Sequence, residues 1–84
     1  MEYQDVFKIM RSAISEMFDE DEENITPETL FDEDLCADEF DVEELSMIAE
    51  EEFDIEVTKK KIKGIRSVDD AVKFIIKEME KSND

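Results

Sequence analysis

The sequence predicts an all-α fold, a small bundle of three longer helices and one short one with a long loop after the first. Three observations carry this. Apolar residues recur at three- and four-residue spacing in three separate segments, the pattern of helices that bury one face. Nothing alternates at period two for long enough to make a sheet. Helix-starting residues stand before two of the three segments, at Asp38 and Ser67. With 84 residues, the chain is read as one domain spanning 1–84.

The segment YQDVFKIMRSAISEMF is the first helix, with Val6, Ile9, Met10, Ala13, Ile14, Met17 and Phe18 in one stripe. DEDEEN ends that pattern and reads as a solvated loop. In ITPETLF, Thr26 is placed as an N-cap and Pro27 at a first helical position, so a short helical turn is expected. Ile25, Leu30 and Phe31 are expected to anchor the loop, which runs from about 19 to 38. A loop of that length is unusual in a compact domain and points to function.

The second helix starts at Asp38, with Asp41 three residues on in a capping position. Val42, Leu45, Ile48, Ala49 and Phe53 form its buried face, and Asp38, Asp41, Glu44, Glu50 and Glu51 lie on other faces. Phe40, Glu43 and Met47 make a further stripe, partly apolar and rimmed by acids. That stripe is either core packing or an interaction surface. In DIEVTKKKIKGI, Ile55 and Val57 look buried and Lys59 to Lys63 form one short helical piece. The last helix is SVDDAVKFIIKEME, capped by Ser67 with Asp70 completing a capping box; its stripe is Val68, Ala71, Val72, Ile75, Ile76 and Met79.

Composition narrows the function. The chain has 27 acids against 10 Lys plus Arg, a formal charge of -17. That charge disfavours nucleic acid and anionic membranes and favours basic protein partners. Histidine, the commonest acid–base catalyst, is absent. Paired carboxylates occur throughout a chain too small for a saccharide cleft, so no enzyme is expected. Asp32, Asp34 and Glu43 fit positions one, three and twelve of a calcium loop, but Ala37 occupies the sixth, where glycine makes the turn, and the match fails. The single cysteine, Cys36, allows no internal disulfide and fits a reducing cytoplasm. Acids surround it and no His or Lys lies close to activate it, so it reads as an inert loop residue. No signal peptide and no bilayer-spanning apolar run is expected.

The order and spacing of several stretches resemble the acyl carrier protein family almost from end to end. ITPETLFDEDLCADEFDVEEL is similar to the family's recognition loop and start of helix II, EEEFDIEV to the loop that follows, and IRSVDDAVKFI to helix IV. The resemblance implies a four-helix bundle of acyl-carrier type with a short third helix and a long loop after helix I. It implies a monomer that meets basic surfaces of fatty-acid or polyketide synthesis enzymes. The family attaches phosphopantetheine to the serine of Asp-Ser-Leu. Here the tripeptide is Asp38-Glu39-Phe40, and Glu39 has no hydroxyl to form the phosphodiester. No cofactor is therefore expected.

Other positions differ too: Cys36 stands where the family has glycine, Glu43 at an often apolar contact position, and Lys59, Lys60 and Lys61 in an often acidic stretch. By the resemblance, Asp38, Phe40, Asp41, Glu43, Glu44, Met47, Glu50 and Glu51 are the partner-binding residues. Several readings stay open: a carrier-like protein that docks partners without carriage, a true carrier with an engineered attachment site, or one with an unusual site at Cys36 or Ser46. An acidic mimic of nucleic acid is the alternative from another class.

Overall fold

The computed structural model describes residues 2–82 and is helical, with α1 (Tyr3–Phe18), α2 (Glu39–Phe53), α3 (Lys59–Ile62) and α4 (Val68–Ser82). No strand occurs among the described residues; Leu30 and Ser67 form one isolated antiparallel bridge. The four-helix reading, with a short third helix and a long first loop, is the observed architecture.

α1 forms because its apolar residues repeat once per turn, and Val6, Met10 and Ile14 are buried from that stripe. It ends at Asp19, whose left-handed backbone (φ 54°) closes the helix by donating its N–H to the Ser15 carbonyl. α1 packs chiefly on α4, and Val6, Ile14, Val68 and Val72 are the most deeply enclosed side chains. Across this contact the Tyr3 hydroxyl donates to Asp69. Burial, then that bond, pushes the Tyr3 phenol up to about 12.

The first loop is held rather than loose. The DEDEEN run contains a short 3-10 turn, Glu22–Asn24, which Arg11 ties to α1 through Glu22 at 3.5 Å. Ile25 and Phe31 enter the core, while Leu30 is only half-buried. The expected cap at Thr26 is not made, and Thr26 and Pro27 begin no helix. Instead the buried Thr29 closes a turn: its hydroxyl accepts the Thr26 N–H at 2.9 Å, and its own N–H donates to the Thr26 carbonyl at 3.0 Å. One turn satisfies these groups, because the next backbone donors and acceptors are taken across the fold. Phe31 N–H donates to the Arg66 carbonyl, Val68 N–H to the Thr29 carbonyl and Asp69 N–H to the Pro27 carbonyl, each at 2.9 Å. These bonds fasten the loop to the start of α4.

α4 starts as expected: the Ser67 hydroxyl accepts the Asp70 N–H at 3.1 Å, and Asp70 accepts the N–H groups of Ser67 and Arg66. Those backbone donors hold the Asp70 carboxyl below its ordinary value. α3 is one residue shorter than Lys59 to Lys63, with Lys63 as its C-cap and Thr58 as its N-cap. Lys61 anchors it by an ion pair to Glu78 of α4 and lies 5.9 Å from the Phe74 ring centre. Glu78 is buried, and the Lys61 bond holds its carboxyl low. Ile55 is buried as expected, whereas Val57 is half-buried.

Candidate functional site: the start of α2 and the groove beside α3

α2 begins where its cap forces it to begin. Asp38 has extended backbone, its carboxylate accepts the Asp41 N–H at 2.9 Å, and its own N–H donates to the Asp41 carboxylate at 3.2 Å. Each carboxylate satisfies a backbone donor that the helix start leaves open. Glu39 is therefore the first residue of the helix and is exposed. A carboxylate there is favourable toward the helix dipole by about 0.3–1 kcal/mol.

The two apolar stripes of α2 separate in space. Leu45, Ala49 and Phe53 are buried. Val42 and Ile48, assigned to the same face, are only half-buried. Val42 borders a groove toward α3, and Ile48 one toward α1. Phe40 and Met47 are 79% and 62% exposed, so they take no part in the core. Phe40, Glu44, Met47 and Glu51 follow four- and three-residue steps and form one outward face of two apolar and two acidic residues. The other candidates are used within the chain. Asp38 and Asp41 hold the helix cap. Glu43 pairs with Lys59 at 3.2 Å. Glu50 accepts the Val57 N–H at 3.1 Å and so closes the turn between α2 and α3.

Glu39 stands at the lip of a groove whose far wall is α3 and the turn after it. Asp38, Glu39, Val42 and Glu43 line one side; Lys59, Lys60, Ile62, Lys63, Ile65 and Arg66 line the other. Sequence reasoning counted the lysines only as departures and did not bring them to Glu39. The signal was there: KKKIKGIR contains five cations and no acid in a chain rich in acids. Beneath the groove lies a small apolar cavity of about 40 Å³, and the two share Phe31, Val42, Ile62 and Ile65.

Glu39 has only a carboxylate. Ser46 lies two turns further along α2, where its hydroxyl donates to the Glu43 carbonyl at 2.6 Å. Cys36 carries an exposed thiol three residues before Glu39. Among the described residues no group of His, Cys, Asp and Glu could hold a metal ion. Among the described residues no helix is long and apolar enough to cross a membrane.

No family model matches the chain. An acyl carrier protein of Phenylobacterium zucineum (strain HLK1) is 45% identical over 71 residues, which is 84% of this chain and 90% of that protein. The crystal structure of an acyl carrier protein from Thermotoga maritima superposes with a TM-score of 0.82 at 32% identity, covering 96% of this chain and 94% of the other. An acyl carrier protein from Enterococcus faecalis gives a TM-score of 0.79 at 28% identity, over 93% of this chain and 99% of that one.

Proposed function

Since this chain belongs to the acyl carrier protein family, we propose that it docks enzymes of fatty-acid or polyketide synthesis without carrying phosphopantetheine. The family carries that arm; it consists of carriers rather than enzymes. The single observation behind the proposal is Glu39, a carboxylate at the first residue of α2, where the family's serine offers a hydroxyl.

The rest of the surface supports docking. Phe40 and Met47 are large apolar side chains left in water, and Glu44 and Glu51 flank them. A partner with an apolar pocket ringed by Lys and Arg would bury the first pair and match the second. Asp38 and Asp41 contribute by fixing the start of the helix, Glu50 by closing the turn after it, and Glu43 by its ion pair with Lys59. Glu39 adds negative charge where a modified serine would carry a phosphodiester. It stands in for the charge and not for the arm, and so holds a partner as the modified carrier would. The molecule acts as a monomeric domain in the cytoplasm, where those enzymes work.

Intact mass after incubation with coenzyme A and a phosphopantetheinyl transferase tests the reading. The expected result is no mass gain for this chain and a gain of one phosphopantetheine for Glu39→Ser. A gain by the unaltered chain would overturn the proposal, and peptide mapping would identify the residue. A Glu39→Ser variant that stays unmodified would show that the recognition surface is not that of a carrier.

A further inference from the structure

We propose that the groove between α1 and α2 docks a cationic amphipathic helix of a partner protein. The groove shares only Glu44 with the outward face of α2 and does not involve Glu39, so it stands or falls apart from the reading above. α1 carries its residues in rows at four-residue spacing. Val6, Met10 and Ile14 form the buried row. Ile9, Ala13 and Met17 form a half-buried row, and Lys8, Ser12 and Glu16 an exposed one. The half-buried row packs against the edge of the core and still borders open space. Ile48 of α2, also half-buried, borders the same space.

Acids alone would say little in a chain with 27 of them. Here they frame an apolar floor. Glu16 stands on the α1 rim, Glu44 and Glu52 on the α2 rim, all exposed. No ion pair engages any of the three among the described residues. Lys8 is the one cation of the lining, so the groove keeps an unmet negative charge.

The occupant follows from shape and charge together. The row from Ile9 to Met17 runs about 12 Å along α1, a little over two helical turns. Two neighbouring helices offer a groove into which the side-chain ridge of a third can pack, and anchors at three- and four-residue spacing suit such a row. The space of about 610 Å³ leaves room for those side chains. Lys or Arg beside the anchors would meet Glu16, Glu44 and Glu52. A second copy of this chain, at net charge -17, brings repulsion instead.

Titration of the isotopically labelled chain with a leucine–lysine peptide of about 18 residues, long enough to be helical and patterned with one apolar stripe, tests the groove. Saturable amide shifts are expected at residues 9–17 as well as 44–52. A peptide of the same composition without the stripe is expected to bind at least about fivefold more weakly. Glu16→Gln combined with Glu52→Gln weakens the striped peptide about threefold to tenfold. Glu23→Gln combined with Glu56→Gln makes the same change in net charge outside the groove and leaves binding as in the parent. Ile48→Gln weakens it about fivefold, with unchanged shifts elsewhere verifying the fold. Shifts confined to α2 would place the peptide on the outward face and overturn the groove. So would equal binding of the two peptides, equal effects of the two acid pairs, or shifts that never saturate.

Discussion

Cys36 carries a backbone of φ 53°, one of three non-glycine residues with positive φ among the described residues. The other two, Asp19 and Asp54, end α1 and α2, and Asp visits the left-handed region more readily than most residues. Cysteine has no such local bonding, and its Cβ crowds the following carbonyl there, at roughly 1–2 kcal/mol. The conformation persists because the neighbouring backbone is bonded on both sides: Leu35 N–H to the Leu30 carbonyl, and Ala37 N–H to the Phe31 carbonyl. Cys36→Gly is expected to stabilise the chain by about 0.5–1 kcal/mol, after the entropy that glycine gains when unfolded. Urea denaturation measures this, and a variant no more stable than the parent would argue against strain at 36. The same residue shows where sequence reading stops. That Cys36 replaces a glycine is legible from the resemblance, and that the position is left-handed is visible only in the backbone.

At the scale of elements, the caps were the most legible feature. Ser67, Asp70, Asp38 and Asp41 make the bonds their spacing implies, because a cap is a local contact between residues three apart. Ser67→Ala is expected to cost about 1 kcal/mol. The Asp70 bonds add a pH dependence. Its folded carboxyl lies below the ordinary 3.8, so the unfolded chain takes up the proton first as pH falls. The stabilisation is thus present above the ordinary value and is lost as pH drops through the lower folded value. Asp70→Asn should therefore be less stable at neutral pH and converge on the parent in acid; a constant gap in thermal denaturation across pH 7 to pH 2 would sink this assignment. Thr26 failed where these succeeded. Its sequence pattern is that of a cap, but the backbone after it bonds to Arg66 and to the start of α4, residues some forty positions away that no local pattern represents.

For the whole molecule, charge dominates. Twenty-seven acids face ten bases, and among the described residues a few pairs offset the repulsion: Arg11–Glu22, Lys59–Glu43, Lys61–Glu78, Lys81–Glu78 and Lys73–Asp69. Screening relieves more repulsion than it removes attraction. The melting temperature is expected to rise when sodium chloride goes from about 0.02 M to about 0.5 M, where the Debye length falls several-fold. A melting temperature that fell or stayed level would show that the ion pairs outweigh the excess acid. Helices, caps, net charge and the carboxylate at position 39 were set locally or by composition, since the α-helical repeat and the capping bonds involve only near neighbours. Packing decided what those helices present. It buried Leu45 and left Phe40 and Met47 outside, and it turned Glu50 inward to Val57. It also carried Lys60, Lys63 and Arg66 to the groove that Glu39 borders. Helical periodicity says which residues share a face; which face meets another element depends on contacts between segments far apart in the chain.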